Sequence, residues 1–180
     1  LHFSNNYIDD FSDLAIDVDG DGYPDIATVT WFSKKISWYR NPGARGGQWT
    51  ESPINARFNL EFALLADVDN DGRAREIVAQ ENGTGQAWYE AVDGRWVRHV
   101  VSDTSYGHGI GAGDVNGDKR TDILTPRGWL EAPTDSRAAG WTFHQAWEPV
   151  NTPVTPRETA KAPGAPPPIA ELGFIHVLDV

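Results

Sequence analysis

Three stretches of this chain place oxygen-bearing side chains on alternate residues: Asp17-Val18-Asp19-Gly20-Asp21-Gly22, Asp67-Val68-Asp69-Asn70-Asp71-Gly72 and Asp114-Val115-Asn116-Gly117-Asp118-Lys119. Oxygen donors in that spacing around a tight turn are what a hard divalent cation such as calcium takes up. The first turn offers Asp17, Asp19, Asp21 and Asp25, with the Tyr23 carbonyl between them. The third offers Asp114, Asn116, Asp118, the Arg120 carbonyl and Asp122, and its Asn lowers the charge. The second offers Asp67, Asp69, Asp71 and the Arg73 carbonyl, but Arg75 stands where the last acid belongs and Glu76 follows one residue later. Either an inserted residue lets the longer Glu reach back, or this turn has lost a ligand. A fourth copy begins at Asp179. Gly20 and Gly22 permit the positive φ that such a wrapped turn requires, whereas Lys119 holds the place of a glycine in the third copy.

These turns recur with the elements that must carry them. From Asp17 to Asp67 is 50 residues, from Asp67 to Asp114 is 47, and from Asp114 to Asp179 is 65. Trp38-Tyr39 and Trp88-Tyr89 keep the same distance from their turns, while Trp129-Leu130 comes sooner, so the third unit has a shorter first hairpin. A second Trp opens a further strand in each unit, at Trp49, Trp96 and Trp141. β-Branched and aromatic runs between turn residues predict four short strands per unit, in the first unit Leu14–Ile16, Ile26–Phe32, Ile36–Arg40 and Gln48–Ile54. Four-stranded units of about 40–50 residues predict an all-β β-propeller in which each unit is one blade. The recurring Trp residues are expected to be core between blades rather than stacking platforms for sugars.

The predicted organisation is one propeller domain: residues 1–11 end a preceding blade, 12–56, 60–102 and 108–148 are blades, and 171–180 start the next. Residues 149–170 hold 7 of the 12 prolines and are expected to be an extended excursion. A chain that begins at Leu1, has no Met and stops inside a turn reads as a fragment of a longer array.

The formal net charge of −11 disfavours nucleic acid, because no Lys/Arg-rich stripe is present to neutralise phosphates. The three turns contribute 11 carboxylates, and three divalent ions would bring −11 to −5. The absence of Cys excludes thiolate metal sites and disulfide scaffolds. No run approaches the roughly 18–20 apolar residues needed to cross a bilayer. A helix–loop–helix calcium hand is excluded, since its loop closes on a Glu at the twelfth position and the residues there are Thr28, Val78 and Thr125.

The stretches from Asp17 to Ile26 and from Gly113 to Ile123 resemble the FG-GAP/VCBS repeat family, whose fold relatives include the N-terminal propellers of integrin α subunits. The resemblance covers all three units. It implies a seven-bladed propeller, calcium in the first hairpin of each blade and an exported or surface-bound protein. It implies no single activity: such repeats serve adhesion, carbohydrate binding and scaffolding, and also carry sugar lyases and dehydratases.

Among the five histidines, His99 and His144 each follow a strand Trp by three residues and are expected to be structural. His108 and His176 approach the first strand of a blade, which lines a propeller's central channel, and are the candidates for a ligand face. No nucleophile elbow or close carboxylate pair is visible. The sequence therefore favours a non-catalytic module presenting a carbohydrate- or protein-binding face, with an aldos-2-ulose dehydratase-like enzyme as the alternative.

Overall fold

In the computed structural model, residues 11–55, 57–81, 85–93 and 95–146 are described in full, and 10 and 171–176 as backbone. The first unit supplies β1 (Asp10–Ile16), β2 (Asp25–Thr30), β3 (Ile36–Arg40) and β4 (Thr50–Asn55). The second supplies β5 (Leu60–Ala66), β6 (Glu76–Glu81), β7 (Gly85–Val92) and β8 (Arg95–Ser102). The third supplies β9 (His108–Gly113), β10 (Asp122–Thr125), β11 (Gly128–Glu131) and β12 (Thr142–Gln145), and β13 (Glu171–His176) follows. Each unit is a four-stranded antiparallel meander in chain order. Among the described residues the one helical piece is a 3-10 turn at Gly43–Arg45, and no helix is long and apolar enough to cross a membrane.

The first strand β5 touches β1 on one side and β9 on the other, while β4, β8 and β12 form the far edges. The middle sheet is covered on both faces. Ile77, Ala79, Ala87 and Tyr89 pack with Ile16, Val29 and Ile36 of the first sheet. Val78 and Trp88 point the other way, onto Ile110, Ile123 and Leu130 of the third. Burial from both sides explains why β6 is buried at every residue rather than alternately, as in any sheet with both faces covered. Successive four-stranded meanders that share cores face to face, with their first strands adjoining, are consistent with propeller blades. The Trp expectation holds for Trp88, Trp96 and Trp141, which pack in the two cores.

Three details differ from the sequence reading. β1 starts at Asp10, so residues 10 and 11 belong to the first sheet, because Asp10 still pairs with Thr30 across an irregularity in the ladder. The shortening of the third unit lies between its second and third strands, where only Pro126 and Arg127 separate β10 from β11. β13, expected to open a further blade, runs parallel to β9 and extends the third sheet. First strands of units related by rotation about one axis point the same way, and the second edge of β9 is open to receive such a strand. Residues 149–170 and Asp179 lie outside the described residues.

Candidate metal turns and inner-strand face

The acidic turns join the first strand of each sheet to the second, so all three lie at the same end of the inner strands. Their backbones are built alike. Asp17 accepts N–H bonds from Gly20, Asp21 and Gly22 at 2.9, 3.2 and 2.9 Å. Asp67 accepts from Asp71 and Gly72 at 2.9 and 2.8 Å. Asp114 accepts from Gly117, Asp118 and Lys119 at 2.8, 3.1 and 2.8 Å. Gly22, Gly72 and Lys119 share one place in the wrap, with φ of 85°, 89° and 68°. Only Lys119 adopts it with a Cβ, in a region that favours glycine.

The last acid of each turn clips the loop to its sheet. Asp25 and Asp122 accept the N–H of Val18 and Val115 on one oxygen, at 3.1 and 3.0 Å. On the other they accept the N–H of Asn41 and Ala132, at 2.7 and 2.9 Å. Glu76 does the first of these jobs, taking the Val68 N–H at 2.9 Å. It also sits opposite Ala66 as Asp25 sits opposite Ile16, so the extra residue at Arg75 is absorbed within the turn. Glu76 is 1 % exposed. Burial raises its carboxyl from 4.5 to about 7; the Val68 N–H opposes this, and the charges of Asp69, Asp67 and Asp71 add to it. Burial likewise raises Asp122, against the Ala132 and Val115 N–H groups.

Ligand atoms of Asp17, Asp19 and Asp21 lie within 4.8 Å of one another, and so do those of Asp67, Asp69 and Glu76. A trio of oxygens that close fits a divalent cation. Asp25 is not in the first trio and Asp71 is not in the second. The third turn brings no three acidic groups together among the described residues, because Asn116 replaces an acid. Of the carbonyls expected as ligands, that of Arg73 accepts the Arg75 N–H at 2.9 Å. Tyr23 and Arg120 occupy corresponding places in the first and third turns, and the Arg120 guanidinium pairs with Asp118.

Guanidinium groups balance each turn. Arg40 Nε lies 2.5 Å from Asp19 Oδ2, and Arg75 Nη2 lies 2.6 Å from Asp71 Oδ2. The third sheet sends Arg137 across to Asp69 and Glu90. Arg137 holds the Glu90 carboxyl below its usual range, against the effect of burial and with help from His99. His99 and His144 occupy equivalent places as expected: each stacks on a Trp of the adjacent strand, Trp88 or Trp129. Each also lies 2.7 Å from a glutamate, Glu90 or Glu131.

At the opposite end of the inner strands stands His108, with Nε2 2.8 Å from Glu61 Oε2. Its flanking glycines are held by one buried side chain. Gln80 Oε1 accepts the Gly109 N–H at 2.9 Å, and Gln80 Nε2 donates to the Gly107 carbonyl. The edges of Trp31 and Phe62 meet the imidazole, at 6.3 and 5.6 Å between centroids. Phe11 lies beside Trp31 and is 41 % exposed. Glu61, Trp31 and Gln80 were not singled out from the sequence. A signal for Glu61 existed, since it precedes Asp67 by the six residues that separate His108 from Asp114. His176 lies on β13, opposite Ala112 of β9, and its side chain is outside the described residues.

Residues 17–74, which span the first two acidic turns, match the family model of the FG-GAP-like repeat. No curated protein and no solved structure matches the chain.

Proposed function

We propose that this chain is part of a calcium-binding β-propeller, seven-bladed when complete, that acts outside the cell and presents a carbohydrate- or protein-binding face without catalysing a reaction. The observation that carries the metal reading is Glu76, a buried carboxylate whose ligand oxygen sits within 4.8 Å of those of Asp67 and Asp69. Ionised together, with Glu76 buried and Asp67 and Asp69 half-buried, these groups repel one another, and a divalent cation reverses the sign of that interaction. The FG-GAP-like match over residues 17–74 supports the same reading. Calcium would be held by the Asp17, Asp19 and Asp21 trio and by the Asp67, Asp69 and Glu76 trio. The third turn, with Asn116, would bind more weakly. The role of the metal would be structural, fixing the hairpin that aims two strands of each blade. Calorimetric titration of the chelated chain tests this: two or three calcium ions per chain are expected, and none refutes it.

The ligand face we assign to the end of the inner strands where His108, Glu61 and Trp31 meet. Gln80 fixes the His108 backbone on both sides, so the imidazole is preset rather than adaptable. The histidine–carboxylate pair also favours a second reading, in which Glu61 orients His108 as a general base of a lyase or dehydratase. Turnover of a panel of mono- and disaccharides, lost in His108→Ala, would establish the enzyme. Binding without turnover, lost in the same variant, would establish the module.

A further inference from the structure

The third position of each acidic turn faces one place in the third strand of its sheet, and the two change together. In the first sheet Asp19 meets Arg40, the residue after Trp38-Tyr39. In the third, Asn116 replaces the acid and Glu131 follows Trp129-Leu130. There the Asn116 amide donates to Glu131 at 3.4 Å. In the second, Asp69 keeps its charge but the residue after Trp88-Tyr89 is Glu90, another acid. Two carboxylates would then face each other with no arginine from their own sheet between them, His99 reaching Glu90 alone. The arginine comes from the next sheet. Arg137 Nε and Nη2 donate to the two oxygens of Glu90 at 2.9 and 2.7 Å, and Nη2 also donates to Asp69 Oδ2 at 2.8 Å. The guanidinium lies over the Trp88 ring at 5.9 Å. Its loop is preset, with the Arg137 N–H donated to Asp135 Oδ1 at 3.0 Å and the Ala138 N–H to the Asp135 carbonyl at 2.9 Å.

We propose that Arg137 is an interblade positioning residue for the second metal turn: it replaces the missing intrablade arginine, fixes Asp69 and couples cation binding there to the seam between the second and third sheets. The proposal rests on the calcium reading for the identity of the ion. A bidentate fork on Glu90 sets the guanidinium geometry, and its remaining contact holds one oxygen of Asp69 while Oδ1 takes the Asp71 N–H at 3.1 Å. Its positive charge stabilises the metal-free turn and opposes an arriving cation. The second turn is thus held in shape without metal, yet binds metal less tightly than its four carboxylates alone would.

The test uses Arg137→Gln, Arg137→Lys and the double variant Arg137→Gln with Glu90→Arg, which copies the Arg40–Asp19 arrangement of the first sheet. Thermal melting in chelator and an NMR calcium titration read at the Asp71 and Gly72 amides are measured on the whole 180-residue chain. Arg137→Gln should melt about 4 °C lower in chelator and bind calcium about tenfold more tightly at those amides. Arg137→Lys should melt lower but keep the wild-type titration midpoint, and the double variant should regain both wild-type values. An Arg137→Gln chain with unchanged melting and unchanged midpoint overturns the proposal, as does a double variant no better than the single one. If the wild-type amides ignore calcium, the metal reading fails, and the melting comparison in chelator still decides whether Arg137 clamps Asp69.

Discussion

Glu76→Gln separates the energetics of the bare second turn from those of the loaded one. Gln keeps the length of the side chain and an oxygen for the Val68 N–H, so the change removes charge and little else. Raising a buried carboxyl from 4.5 to about 7 corresponds to about 3 kcal/mol of preference for the neutral form in the fold. The folded value lies above the unfolded one. Glu76 therefore leaves stability intact below pH 4.5 and removes it progressively as pH rises through about 7. The Gln variant has no such group to titrate. In chelator it should match wild type at acid pH and exceed it by about 3 kcal/mol at pH 8.5, about 10 °C in Tm for a chain of this size. On the proposed calcium reading, saturating calcium should invert the order, because the charge that harms the bare turn is the one that would hold the ion. Denaturant melts at pH 4.5, 7 and 8.5, with and without calcium, measure all of this. Asp122 also rises through burial and tilts both proteins alike, so the difference between them isolates Glu76. A variant less stable than wild type in chelator at pH 8.5 would refute the charge argument.

Three further substitutions test the frame around the site. Lys119→Gly should stabilise the chain by about 0.5–1 kcal/mol, since Lys119 adopts a φ of 68°, read as a rise in Tm. Gly85→Ala should cost about 3 kcal/mol or prevent folding, because its Cβ would run into the Ser102 carbonyl at a φ of 116°, seen as a loss of cooperative melting. Arg98→Met should cost about 3–5 kcal/mol by leaving the fully buried Glu81 carboxylate without its guanidinium fork, measured by urea denaturation.

The repeat was legible because each copy carries its own local chemistry. Asp–x–Asp/Asn–x–Asp spacing, a Trp at the same distance in the first two copies and glycine at most of the positive-φ positions are fixed by the hairpin itself and do not depend on the rest of the fold. The four strands per unit and the equivalence of His99 with His144 followed from this. Strand ends were less legible: β1 reaches back to Asp10 by pairing with Thr30, a contact that no local propensity signals. Least legible were pairs made between units. Glu61 meets His108 across two sheets, and Arg137 meets Asp69 from 68 residues away. Neither pair falls within one repeat: periodicity gives Glu61 the place in its unit that His108 has in the next, but it does not say that the two side chains meet.

The two ends of the inner strands are built by different rules, and that division bears on what can change. At the turn end, each acidic loop depends on its own sheet for the clip from its last acid to the loop N–H. Arg137 is the exception that joins the second loop to a neighbour. At the other end His108 depends on Gln80 from β6, Glu61 from β5 and Trp31 from the first sheet, so no single unit contains the cluster. A local turn can be altered in one copy, as Asn116 and Lys119 attest, while the others keep their geometry. A cluster assembled from three sheets requires the sheets to keep their spacing, and that spacing rests on cores such as Trp88 against Ile110 and on the hairpins that the acidic turns hold.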